Sequence, residues 1–206
     1  MNESKGLNTT KYSIIIMLTQ YGKEILPELI KIVDENTKFY DCYDKLSDIG
    51  VTYIGRGARR AVFANRYDND SSNILSGEYV LKIDFPKVVN NIHIGGNKLE
   101  IANYIEVGQY LNKYFVPVTN YDKKNARWLI MPMTKGTVSQ HDIDNYYFSL
   151  ADKNIHMARS YGLNNSSMGF HEGLVKLHDY DIRIYKNAGK DMYVNNFTEY
   201  FNKLTD

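Results

Sequence analysis

The sequence predicts an α+β fold, and three observations carry that expectation. From Lys11 to Glu35 apolar residues recur at three- and four-residue spacings, the period of a helix. From Val51 to Met133 short strand-like runs alternate with Gly- and Asn-containing breaks around one helical stretch. After Thr134-Lys135-Gly136 the pattern turns helical and then returns to short strands. At 206 residues the chain is long enough for one sizeable core or for two small lobes sharing a cleft. The expected division is a helical extension over 1–45, a sheet-rich lobe over 46–133 and a reduced lobe over 134–206.

Taken in order, Met1–Thr10 is polar and expected to fray. Ile14, Met17, Leu18, Tyr21, Ile25, Leu29, Ile32 and Val33 then form an apolar stripe. It should pack against the main body, with a dimer contact through these N-terminal helices as the alternative. Gly22 and Pro27 allow one kinked helix or two. Phe39–Leu46 is aromatic and acidic without a clear period, and should lead into the first strand. Val51–Ile54 reads as strand, breaks at Gly55 and Gly57, and resumes over Ala61–Ala64. Asp68–Gly77 is a polar loop, Glu78–Phe85 the next strand, and Lys87–Gly96 another connection. Asn97 is placed to cap a helix reaching about Leu111, with Glu100 in its first turn. Tyr114–Asn120 and Arg127–Pro132 flank a turn at Asp122–Asn125 and complete a five-stranded antiparallel sheet.

Beyond that sheet, Ser139 or Asp142 should cap a helix reaching about Arg159. Gly162–Ser167 is a polar loop. Met168–Phe170, Leu174–Leu177 and Ile182–Tyr185 read as short strands around turns at Glu172-Gly173 and Asn187–Gly189. Asn196–Leu204 reads as a last helix.

Composition narrows the function classes. A net charge of +1 provides no electrostatic footprint for nucleic acid or an anionic membrane. The single cysteine, Cys42, excludes an intramolecular disulfide framework and a Cys-based zinc site, and fits a reducing compartment. The longest apolar run near the N-terminus, Ile14–Leu18, has five residues, against the roughly 20 that span a bilayer. A signal peptide is not expected either, for want of a longer apolar stretch and a small-residue cleavage site. A cytoplasmic protein is the expectation. The 21 Asn and 18 Tyr against 4 Pro point to an AT-rich genome, viral or low-GC bacterial, so a viral protein would work in host cytoplasm.

Several side chains could carry chemistry. Gly55 and Gly57 permit close backbone approach to a phosphate, and equally a tight hairpin turn. Arg56, Arg59 and Arg60 would complement an anion or form a solvated loop, and Arg60 could instead crowd the pocket. Strand alternation puts Lys82 on one face with Val80 and Asp84. A lysine facing a cleft needs a partner; Glu100, 18 residues on, is the first candidate and Glu106 the second. Asp179 and Asp181 point the same way in an extended segment and can hold Mg²⁺ with phosphate oxygens, or be two exposed turn acids. His141-Asp142-Ile143-Asp144-Asn145 reads as a helix N-terminus, and His156 and His171 have no spaced partner for zinc. No G-x-S-x-G elbow is present, and Cys42 has no activating neighbourhood.

The order of glycine loop, lysine strand, glutamate helix, two strands and a mostly helical part resembles the protein-kinase-like superfamily, including its small prokaryotic and viral members. The family's glycine loop reads G-x-G-x-x-G-x-V. Gly55, Gly57 and Val62 fit it, and Arg60 stands where the third glycine would be. Val80-Leu81-Lys82 matches the family's lysine strand, and Glu100 its helix glutamate, which aims that lysine at phosphate. Leu129–Met133, with Met131 and Met133, is similar to the hinge strand whose backbone receives adenine.

The second half departs from the family pattern. Gly162–Gly169 resembles a shortened D-L-H-x-G-N-x-G catalytic loop, with Gly162 at the catalytic aspartate and Ser167 at the metal-binding asparagine. Asp179 would be the metal aspartate, with Asp181 beside it. Only 25 residues follow Asp181, so no activation segment or docking helices are expected. The resemblance implies a two-lobed fold and a degenerate, pseudokinase-like protein that binds a protein partner, with or without ATP and Mg²⁺. A minimal ATP-dependent phosphotransferase using Lys82 and Asp179, with Asn164 or Asn165 at the metal, is the alternative. An interaction module without nucleotide is the third.

Overall fold

The computed structural model describes residues 18–35, 43–56, 60–65, 73–85, 96–106, 112–151, 155–157, 167–179 and 184–186. Over these the chain is a mixed α+β protein.

Thr19 starts the first element. Its Oγ1 accepts the Gly22 N–H at 2.8 Å, which caps α1 (Gln20–Glu35). The described helix is continuous, although Pro27 removes the N–H that would bond the Lys23 carbonyl. Residues 11–17, expected to be helical, lie outside the described residues; Leu18 forms an isolated antiparallel bridge with Leu75. A short helix, α2 (Tyr43–Asp48), replaces the aperiodic approach expected before the first strand.

β1 (Val51–Arg56), β2 (Arg60–Asn65), β3 (Tyr79–Asp84), β4 (Asn120–Tyr121) and β5 (Trp128–Pro132) form an antiparallel sheet in the order β1-β2-β3-β5-β4. Alternation sorts its side chains into two faces. Phe63, Leu81, Ile83 and Ile130 lie on the outer face, where Leu26, Leu29, Ile32 and Val33 of α1 cover them. The described part of the N-terminal apolar stripe is therefore buried within the chain. Val62, Val80, Leu129 and Met131 lie on the inner face and pack with Ile101 of α3 (Gly96–Glu106). Gly22 is the point of closest approach on the outer side: a Cβ there would lie 2.1 Å from the Ile74 carbonyl oxygen.

Three expectations are corrected in this region. The run 114–119 is not a strand; its apolar residues Phe115, Val116 and Val118 fill the inner core, and only Asn120–Tyr121 pairs with β5. Pro117 has no N–H to give a ladder, and the backbone instead meets a later hairpin. Asn97 does not cap α3 from outside. It lies in the first turn, and the Asp84 carboxylate takes its N–H at 3.0 Å. Glu100 consequently falls one residue beyond the first turn and has no capping role.

α4 (Gln140–Ala151) opens on a reciprocal cap: the Ser139 N–H donates to Asp142 Oδ2 at 3.0 Å, and the Asp142 N–H returns to Ser139 Oγ at 3.2 Å. The Ser139 hydroxyl, which donates to Asp142 Oδ2 at 2.6 Å, and the Ser139 N–H hold the Asp142 carboxyl below its ordinary range. Ile143, Tyr146 and Leu150 face the inner core. The helix ends well short of Arg159, and β6 (Ile155–Met157) pairs with β9 (Ile184–Lys186), so Ile155 and Met157 are strand rather than helix residues.

β7 (Met168–His171) and β8 (Leu174–Leu177) form a hairpin about Glu172 and Gly173, both at positive φ. The hairpin is held on two sides. Lys135 and Phe170 exchange backbone bonds at 2.9 Å, and the Val116 N–H donates to the Leu177 carbonyl at 2.9 Å. Gly169 permits this approach, since a Cβ would lie 2.5 Å from the Thr134 side chain. The inner core draws on residues from both sides of 133–134, so it is continuous across that expected boundary. The expected turn at Asn187–Gly189 and helix at Asn196–Leu204 lie outside the described residues.

Candidate functional site

The inner face of the sheet carries polar residues at one end. Register pairs Val62 with Lys82 and Arg60 with Asp84, which puts Arg60, Lys82 and Asp84 on one surface. α3 lies over that surface, fixed at its start by two residues. Asp84 accepts the Asn97 N–H, and the Asn97 side-chain amide donates to the Lys82 and Arg127 carbonyls, both at 3.1 Å. Glu100, one turn further along, is thereby directed at the strand lysine.

Lys82 and Glu100 form a buried pair. Lys82 Nζ donates to Glu100 Oε1 at 3.0 Å and Oε2 at 3.2 Å. It also donates to the backbone carbonyl of His178, which the β7–β8 hairpin delivers. An ammonium has three donors, and these are three acceptors. Burial pushes the Lys82 ammonium below its ordinary pKa, with Arg60 adding to the effect and Glu100 opposing it. Burial likewise pushes the Glu100 carboxyl up, against the pull of Arg60 and Lys82.

Arg60 is the residue that sequence reasoning left unresolved between loop cation and intruder. It opens β2 and is 4% exposed. Its guanidinium forms ion pairs with Glu100 and Asp179 and donates to Asn97 Oδ1 at 3.3 Å. The signal for this was the strand alternation itself: a strand beginning one residue earlier puts Arg60 on the face of Val62 and Lys82.

Asp179 completes the cluster. Its N–H and that of His178 both donate to the Ser167 carbonyl, at 3.2 and 3.0 Å. The His178 ring meets Thr134 Oγ1 at 2.7 Å, tying the same turn to the end of β5. Burial raises the Asp179 carboxyl, but Arg60 and Lys82 together outweigh it and hold the group at about 2. The Asp179 side chain is 44% exposed.

The other candidates fall as follows. Gly55 lies at an irregularity in the β1–β2 register, where a Cβ would meet nothing within 4 Å. Val62 is half-buried beside Lys82. Met131 is fully buried in β5, and Met133 follows the strand with its N–H donated to the Glu78 carbonyl at 2.9 Å. Gly57, Arg59, Gly162, Asn164, Asn165 and Asp181 lie outside the described residues, as do the side chains of Arg56 and Glu106. Among the described residues no three His, Cys, Asp or Glu side chains gather as a metal-binding group, and no helix is long and apolar enough to cross a membrane.

In this arrangement Lys82 donates to Glu100 and to the His178 carbonyl, the Met133 N–H donates to the Glu78 carbonyl, and the Asp179 carboxylate is paired with the Arg60 guanidinium. The cluster provides a polar junction joining β2, β3, α3 and the segment after β8. Compared with known proteins, the chain matches no family model and no curated sequence.

Proposed function

We propose that the chain is a degenerate kinase-like protein that acts by binding a protein partner and not by transferring phosphate. Two features support kinase-like ancestry. The glycine-bearing hairpin, the lysine strand, the helix and two further strands follow one another in the chain order that the resemblance calls for. Lys82, Glu100 and Asp179 also converge on one point. A two-lobed arrangement, with the β7–β8 hairpin and α4 forming the smaller part, belongs to the same proposal.

The observation that carries the loss of chemistry is the His178 carbonyl, which takes the Lys82 donor that the Glu100 pair leaves over. Both Glu100 oxygens and the His178 carbonyl occupy the three Lys82 donors, and the side chain is 5% exposed. A phosphate would have to displace the protein's own acceptors. For partner binding the chain offers Phe148 on α4 and Leu174 at the hairpin turn, both exposed. An active phosphotransferase is the second reading, favoured by the same convergence. A general base contributes only about 10²–10⁴-fold, so a site without one could still work slowly.

Thermal unfolding with ATP, with and without Mg²⁺, tests the proposal. A ligand at about 100 times its dissociation constant stabilises by about 2.7 kcal/mol. We expect no such shift and no transfer of labelled γ-phosphate. A Mg²⁺-ATP shift that Lys82→Ala abolishes, together with transfer, would establish the enzyme instead.

A further inference from the structure

We infer that Arg60 is a built-in cation: beside the Lys82–Glu100 pair, its guanidinium joins the oxygens of Asn97, Glu100 and Asp179, a place that a divalent metal would take in its absence. The inference rests on the cluster alone and holds whether or not the chain is kinase-like.

The geometry is that of a cation with three oxygen ligands. One guanidinium nitrogen takes Asn97 Oδ1 and a Glu100 oxygen; the other takes an Asp179 oxygen. Amide and carboxylate oxygens are the donors that hard cations such as Mg²⁺, Mn²⁺ and Ca²⁺ select. Two carboxylates brought to one point repel unless a positive charge lies between them. The Lys82 charge acts on both carboxylates, but its side-chain bonds go to Glu100 and the His178 carbonyl, whereas Arg60 bonds both carboxylates.

A guanidinium also differs from a metal in ways that matter. It keeps its proton at any working pH, it is covalently attached, and its fork holds two acceptors at once. The junction between α3 and the segment after β8 is therefore assembled permanently, without waiting for a metal. Removing the guanidinium should uncover the metal site. Asp179 is half-exposed, so water can complete the shell around a small ion.

The test uses the full chain carrying Arg60→Ala, unfolded thermally in EDTA and in millimolar Mg²⁺, Mn²⁺ or Ca²⁺. We expect one of these ions to raise the variant's midpoint by about 3–6 °C at roughly ten times its dissociation constant. Wild type should show no comparable rise, and Arg60→Ala combined with Asp179→Asn should lose it. If Arg60→Ala folds only when the ion is supplied, the inference stands. It is overturned if the variant folds and no ion stabilises it, if it folds neither with ion nor without, if the rise survives Asp179→Asn, or if wild type responds equally. Nucleotide plays no part in these measurements, so their failure leaves the proposed function where it was.

Discussion

The carboxylate of Asp84 accepts the backbone N–H of Asn97 at 3.0 Å, so the strand that carries Lys82 also caps the helix that carries Glu100. The same contact sets strand and helix in register, with Lys82 and Glu100 facing each other. Asp84→Ala should cost about 1–3 kcal/mol in urea unfolding, the range for a buried donor left unmet at a helix start. A loss within about 0.5 kcal/mol, the scale of an ordinary surface change, would mean that the cap does not organise the junction.

Glu100 is shared by two cations, and its removal should be the costliest change in the cluster. Glu100→Gln keeps the shape and removes the charge, leaving Lys82 and Arg60 buried with less to balance them. We expect a loss of about 3–5 kcal/mol by denaturant titration. Pairing Glu100→Leu with Lys82→Met should cost less than the sum of the two single changes, because the double variant strands neither partner. Strict additivity would show that the two residues do not interact energetically.

Acid should act on the cluster through Asp179. Its folded pKa, about 2, lies below the unfolded value of about 3.9. A depressed carboxyl stabilises the fold above its unfolded pKa, and that contribution fades as pH falls from about 4 to about 2. Burial of Glu100 works in the opposite sense, since its raised pKa favours the protonated form in the folded state. The comparison is therefore wild type minus Asp179→Asn. Their stability difference should be full at pH 5 and shrink toward pH 2, roughly the interval between the two pKa values. A difference independent of pH would refute the ion pair's contribution.

Gly22→Ala sets helix propensity against packing. Alanine should favour α1 by about 1 kcal/mol, but its methyl group would meet the Ile74 carbonyl at 2.1 Å, a backbone atom that cannot rotate away. Overpacking of this kind costs about 1–3 kcal/mol, so we expect a net loss and a lower denaturant midpoint. A stabilised variant would show that α1 shifts freely on the sheet.

Much of this architecture was legible because it is local. Alternation placed Lys82, and the apolar run after Asn97 placed the helix bearing Glu100. Arg60 was harder to read, since Gly55 and Gly57 made the surrounding stretch read as loop. Its role depends on β2 starting at residue 60, one residue earlier than the apolar pattern suggests. The segment 114–119 misled for a different reason. Its run of apolar residues looks like a strand, yet the backbone partner of Tyr114 and Val116 is Leu177, some sixty positions away in sequence. Asp179 was singled out as a metal ligand, but nothing near it in sequence indicated that its cation would be an arginine.

The outermost link of the cluster has a consequence for how the protein is made. Arg60 and Asp179 are 119 residues apart. At about 5–20 residues per second, the 79 residues from Glu100 to Asp179 take roughly 4–16 s to be synthesised. During that interval Arg60 and Lys82 have only Glu100 of the two carboxylates with which the cluster pairs them. Asp179 supplies the second carboxylate, so the cluster is complete only once the chain has been made past the β7–β8 hairpin.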